Sequence, residues 1–138
     1  MVILSVDYGD ARTGIAVCDR MEILASPVCV INESYEPKVI SAVAAEAQRQ
    51  KAELIVVGLP KNMDGTEGDR AIATREFGNQ LISAIGGNID IEYLDERLTS
   101  VTAEEILIEA GVRREKRKEV IDKLSATLIL QDYLDRKK

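Results

Sequence analysis

No histidine occurs anywhere in the 138 residues, which excludes an imidazole general base, a His-ligated zinc and a Cys–His dyad. Only two cysteines are present, Cys18 and Cys29, in apparent strands and without a CxxC spacing. Both read as small buried hydrophobes of a reducing compartment. No apolar run approaches the roughly 18 residues that a membrane span needs. The first apolar segment follows no basic stretch and stops at Asp7, so no signal peptide is expected and a cytoplasmic location is. If the chain is an enzyme, its carboxylates must carry the chemistry.

What is present fits one ordinary domain, 1–138, long enough to bury a core without staples. Charge is distributed unevenly around a net −6: residues 112–138 carry nine Lys/Arg against five Asp/Glu, while residues 1–111 carry nine against nineteen. A nucleic-acid partner depends on a local basic face, so the acidic total does not exclude one.

Hydrophobic patterning divides the chain into elements. VILSV reads as a strand, a turn rich in Gly and Asp follows, and TGIAVCD reads as a second strand. Ile23–Ile31, broken by Pro27, reads as a third, completing an antiparallel meander. Val39, Ile40, Val43, Ala44 and Ala47 recur at helical spacing after Pro37, then LIVVGLP forms a buried strand. Ala73, Phe77, Leu81 and Ile85 mark a long helix stopped by Gly-Gly-Asn, and NIDIEYLDE alternates as a strand. Thr102 and Glu105 have the spacing of a capping box, with Gly111 as the stop. Val120, Ile121, Leu124, Leu128 and Leu134 give the last helix its apolar face. The order βββαβαβαα predicts an α/β domain with a mixed five-stranded sheet, three antiparallel strands then parallel ones, and helices on both faces.

Functional groups of such a sheet lie at the carboxyl ends of its parallel strands. Asp7 ends the first strand, Asp95 and Glu96 end the last, and Asp122 lies one turn into the terminal helix. There the small Ser125 and Ala126 on the same face let the helix lie close to the strand ends and bring Asp122 toward the other acids. Clustered carboxylates repel unless a cation sits among them. Oxygen-only ligands favour Mg²⁺ or Mn²⁺, and two such ions can serve both attacking and leaving oxygens of phosphodiester hydrolysis without histidine. Taken singly, each acid also has a structural reading. Asp7 can be a turn residue, Glu96 can pair with Arg97, and Asp122 can complement the positive end of a helix.

Four stretches weigh between these readings: DYGDARTGIAVCD (7–19), IVVGLPKNMDGTEG (55–68), YLDERLTSVTAEEIL (93–107) and REKRKEVIDKLSATLILQDYLD (114–135). In order and spacing they resemble the YqgF family, also called RuvX, of Holliday-junction-resolvase-like proteins with a ribonuclease H-like fold. The resemblance implies a bacterial cytoplasmic nuclease that processes the 5′ end of pre-16S ribosomal RNA, with Holliday junction resolution as the related alternative. It places the family's acids on Asp7, Glu96 and Asp122. Asp95 ranks below Glu96, because strand alternation points the two to opposite faces. Thr13 stands where the family usually has an aliphatic residue, and Ser125 where its helix more often reads Ala-Ala.

Candidate substrate contacts follow from position. Arg12 and Arg97, beside the acids, suit bidentate phosphate contact or structural ion pairing. Thr99 and Ser100 suit a helix cap whose N-terminus attracts a phosphate. GLPKNMDGTEG lacks the GK[ST] of a P-loop, and its Lys61 and Asn62 offer groups to a nucleic-acid strand. RREKRK (113–118), including Arg113, Arg114 and Lys116, is a phosphate-tracking patch or a solvated linker, and no aromatic residue interleaves it. The resemblance implies pre-rRNA or branched DNA as the partner, no membrane partner is expected, and the chain is read as a monomer or homodimer. Two competing readings are a non-catalytic nucleic-acid-binding module and an actin-like nucleotide-binding kinase. The kinase requires a second lobe for which 138 residues leave no room.

Overall fold

The computed structural model describes residues 1–95 and 108–137, with side chains of 118–123 left out. Five strands, β1 (Ile3–Asp7), β2 (Thr13–Cys18), β3 (Ala25–Ile31), β4 (Leu54–Leu59) and β5 (Asp90–Asp95), form one sheet in the order β3-β2-β1-β4-β5. β1 pairs antiparallel with β2, and β2 with β3, whereas β4 is parallel to both β1 and β5. The expected meander and parallel half are both observed. Helices α1 (Glu36–Arg49) and α2 (Asp69–Ile85) connect the parallel part, and α3 (Arg114–Lys137) ends the described chain. The capping-box pair Thr102 and Glu105 lies outside the described residues.

Alternation along β1 assigns the two faces. Leu4 and Val6 pack with Val39, Val43, Phe77 and Leu81 under α1 and α2. Ile3 packs with Ala126, Ile129, Leu130 and Leu134 under α3. β4 is wholly buried because both of its faces are covered, which explains its unbroken apolar run. Gly78 sits inside α2, where glycine ordinarily weakens a helix, because a Cβ there would collide with the Tyr93 hydroxyl.

Several sequence readings require correction. The sheet-facing row of α3 is Ala126, Ile129, Leu130 and Leu134, whereas Leu124 and Leu128 are only half-buried. Ala126 lets the helix settle on β1, and this turns the larger leucines outward. Along α2 the buried set is Ala71, Thr74, Phe77, Gly78 and Leu81, leaving Ala73 and Ile85 half-buried. β3 begins at Ala25, and Ile23 and Leu24 are exposed in the preceding turn, where their main-chain amides donate to Asp19 Oδ1. Cys29 is exposed, because β3 is an edge strand open to solvent, whereas Cys18 is buried as expected. α3 starts at Arg114, so Arg114–Lys118 form its first turns instead of a linker, and Asp122 lies two turns in.

Candidate active site at the carboxyl rim of the sheet

Asp7 closes β1 on the α3 side, two residues beyond Ser5 and four beyond Ile3, and is half-buried. Opposite it in β2 is Gly14, which is buried. After Asp7 the chain turns within Tyr8–Arg12. Gly9 is required there, since a Cβ would run into the Arg12 carbonyl oxygen.

The turn is held from outside. Arg70, in the first turn of α2, places Nη1 2.7 Å from Asp10 Oδ1 and donates from Nη2 to the Tyr8 carbonyl at 3.1 Å. The Tyr8 ring stacks on Phe77 with centroids 4.2 Å apart. Its hydroxyl donates to Glu36 Oε2 at 2.8 Å. Burial first, and then the Glu36 carboxylate, push the Tyr8 phenol up to about 12. The residue after Asp7 is thus tied through its main chain, its ring and its hydroxyl. None of Arg70, Glu36 or Phe77 was a sequence candidate for the site. These partners lie 62, 28 and 69 positions from Tyr8, beyond the reach of helical or strand periodicity.

α3 is brought to the same rim by one bond and its direction. The Ser5 hydroxyl donates to the Ala126 carbonyl at 2.6 Å, in the core. Further along α3, the Gln131 side chain accepts from the Ala25 amide and donates to the Ile23 carbonyl. Ala25 pairs with Cys18, whose sulfur accepts the Ile3 amide near the start of β1. The helix therefore runs antiparallel to β1. Going back one turn from Ala126 to position 122 covers about 6 Å of axis, nearly the ~6.6 Å from Ser5 to Asp7 along the strand. The backbone of residue 122 is thereby level with Asp7, on the helical row that continues 126, 130 and 134.

Asp95 lies on the other side. It continues the row of Ile91 and Tyr93, which pack toward α1 and α2, whereas Glu92 accepts from the Tyr133 hydroxyl of α3. Glu96, Arg97, Thr99 and Ser100 lie outside the described residues, and the carboxyl of Asp122 is among the side chains left out. Among the described residues no three Asp, Glu or Cys side chains group as a metal site.

Cationic candidates surround this end of the sheet. Arg12 is exposed on the β1–β2 turn, and Lys61 is half-buried at the end of β4. Arg113, Arg114 and Lys116 are exposed where α3 begins. The Arg113 carbonyl accepts the main-chain amides of Lys116 and Arg117 and so opens the helix. Asn62 is exposed and also ties its own loop together. Its amide donates to the Thr66 hydroxyl at 2.9 Å, and that hydroxyl donates to Asp64 Oδ1 at 2.6 Å. Gly65, at φ 90°, supplies the left-handed residue of the turn.

Comparison with known proteins decides the family. The family model RuvX, described as Holliday junction resolvase, matches residues 1–136. The chain belongs to the RuvX family. Its curated relatives include two bacterial proteins named "Putative pre-16S rRNA nuclease". That of Lactococcus lactis subsp. cremoris strain MG1363 is 44% identical over 135 residues, covering 96% of this chain and 93% of the relative. That of Halothermothrix orenii is 42% identical over 135 residues, covering 98% and 95%. Among solved structures, Thermus thermophilus RuvC in complex with a Holliday junction substrate superposes with a TM-score of 0.60 at 13% identity, covering 99% of this chain and 96% of that one. The fowlpox virus Holliday junction resolvase gives 0.58 at 11% identity, covering 99% of each. This RuvX chain therefore shares its fold with the resolvases, as the resemblance in its motifs implied.

Proposed function

We propose that this RuvX-family chain is a metal-dependent endonuclease, a single nuclease domain over residues 1–138, that hydrolyses phosphodiester bonds in structured nucleic acid. Its proposed reaction is 5′-end processing of pre-16S ribosomal RNA. The observation that carries the reading is Asp7 at the carboxyl end of β1, on the face where the Ser5–Ala126 bond seats α3. Residue 122 is thereby level with it, among relatives that bear the nuclease name.

Asp7, Glu96 and Asp122 are the proposed carboxylate ligands. Carboxylate oxygens without histidine or thiolate form a hard donor set, which fits Mg²⁺ or Mn²⁺. When bound, such an ion polarises the phosphoryl group and lowers the pKa of the attacking water. The remaining roles belong to side chains. Arg12, Arg97, Lys61 and Thr99 contact phosphates close to the cut, and Arg113, Arg114 and Lys116 extend the contact along α3. Tyr8 and Arg70 hold the turn that carries Asp7 in one geometry.

The test is incubation of the protein with precursor ribosomal RNA and with a four-way DNA junction, each with and without Mn²⁺. Cleavage of the RNA only with metal, abolished by Asp7→Asn in a folded protein, is the expected result. Equal cleavage by Asp7→Asn would sink the proposal. Junction resolution is the second reading, favoured by the family description and by the junction-bound RuvC that shares the fold. A product from the DNA junction alone would select it. Binding that persists in EDTA, with cleavage of neither substrate, would instead identify a non-catalytic binding module.

A further inference from the structure

The chain has five aromatic residues, four tyrosines and one phenylalanine. Four are engaged within the fold. Tyr8 and Phe77 stack on each other, the Tyr93 ring lies 4.9 Å from the Arg75 guanidinium carbon, and the Tyr133 hydroxyl donates to Glu92. The fifth, Tyr35, is 61% exposed, and no ring contact or side-chain hydrogen bond holds it among the described residues.

Its backbone, by contrast, is fixed. Glu33 Oε2 accepts the amides of Ser34 and Tyr35 at 3.0 and 3.2 Å, and the Tyr35 carbonyl accepts those of Lys38 and Val39 to open α1. Tyr35 occupies the N-cap position, yet its side chain makes no capping bond. Its place is also set relative to the candidate site. β3 runs in the same direction as β1 because each is antiparallel to β2, so the β3–α1 connection emerges at the rim that carries Asp7. The next residue, Glu36, accepts the hydroxyl of Tyr8, the residue after Asp7. Exposed Arg12 precedes Thr13, which pairs with Ile31 at the end of β3.

An exposed aromatic on a fixed backbone, at a rim that also carries Arg12, is an arrangement that can stack an unpaired base while a cation holds the backbone. We propose that Tyr35 is a stacking platform for an unpaired base flanking the phosphate at the rim. The inference rests on the nuclease reading for its meaning. It makes the substrate one with unpaired nucleotides beside the cut, RNA or DNA, and it supplies the aromatic contact that the basic run of α3 lacks.

The test measures binding in EDTA, where hydrolysis is stopped, using a short single-stranded RNA, the DNA of the same sequence and a blunt duplex. Tyr35→Ala is expected to weaken binding of the single strands about tenfold and to leave the duplex unchanged. Tyr35→Trp is expected to retain affinity. Because the chain has no tryptophan, the introduced indole is a unique reporter, and its fluorescence is expected to be quenched by the single strands alone. Loss with RNA but not DNA would assign the platform to RNA, and the reverse to DNA. Wild-type affinity in Tyr35→Ala, or an indole that the single strands do not quench, would overturn the proposal. Stacking by a protein that cuts nothing when Mn²⁺ is restored would remove the nuclease reading and leave Tyr35 as a binding residue. Failure of the unsubstituted protein to bind any of the three would remove both.

Discussion

The Ser5 hydroxyl of β1 donates to the main-chain carbonyl of Ala126 in α3 across 2.6 Å, with both residues buried. With the Gln131 bonds to Ala25 and Ile23, this bond sets the height of the terminal helix on the sheet, and so the level of residue 122 relative to Asp7. Ser5→Ala removes the hydroxyl and still leaves the Ala126 carbonyl its helical partner. The expected loss is about 1 kcal/mol of unfolding free energy, measured by urea denaturation. On the proposed function, cleavage is expected to fall further than this stability loss explains, because the backbone of residue 122 is then held less firmly at the level of Asp7. A loss of activity that merely tracks the unfolded fraction would show the bond to be structural only.

Arg70 gives the complementary case on the other face of the sheet. Its bond to Asp10 joins two exposed side chains, and such a pair stabilises by about 1 kcal/mol at most. Its bond to the Tyr8 carbonyl, however, fixes the peptide next to Asp7. Arg70→Ala is expected to leave thermal unfolding almost unchanged while lowering kcat roughly ten- to hundredfold through misplacement of the acid. Arg70→Lys keeps the charge but cannot span both partners as the planar guanidinium does. It is expected to fall between the two.

These two cases show what could be read from residues alone. β-branched runs and period-two alternation marked every described strand, because burial on one or both faces leaves a direct pattern in sequence. Asp7 was legible for a related reason, a carboxylate ending a core strand being visible without a structure. Arg70, Glu36 and Phe77 were not legible as neighbours of Tyr8. They are joined to it by the return of α1 and α2 across the sheet, and spacing says nothing about such pairs. On α3 the small face of Ser125 and Ala126 was legible as the one that lies close to the strand ends, and both are buried. Leu124 and Leu128 were misread as inward because leucines outweigh alanine in any hydrophobicity pattern, whereas close approach to β1 favours the small residue and leaves them half out.

Tyr8 and Tyr133 set an alkaline limit on stability. Burial, followed by the hydrogen bonds to Glu36 and Glu92, raises each phenol from its ordinary value of 10 to about 12. The unfolded chain begins to release these protons near pH 10, while the folded chain holds them to about pH 12. The folded state therefore binds more protons between those values, and stability falls with rising pH across that window. Below pH 10 the contribution is fully present. Unfolding free energy measured through this range is expected to decline, and Tyr8→Phe should flatten the decline. An alkaline slope identical in Tyr8→Phe would assign it to other groups.

The first turns of α3 make a prediction that separates a phosphate-tracking face from a merely solvated one. Arg113, Arg114 and Lys116 are exposed. With α3 antiparallel to β1, Arg114 stands about 12 Å beyond residue 122 along the helix axis, so the trio lies past the level of Asp7. Each phosphate that a cation neutralises releases condensed counterions and steepens the salt dependence of binding. Replacing all three with glutamine is expected to reduce the slope of log affinity against log salt by about 2 to 3. It should weaken RNA of any sequence to a similar degree, because backbone contacts carry no base information. The rate of cleavage at saturating substrate should change little, since none of the three sits level with Asp7. An unaltered salt slope would show these cations to be surface charge without a nucleic-acid role. A fall in kcat at unchanged slope would place at least one of them beside the reacting phosphate.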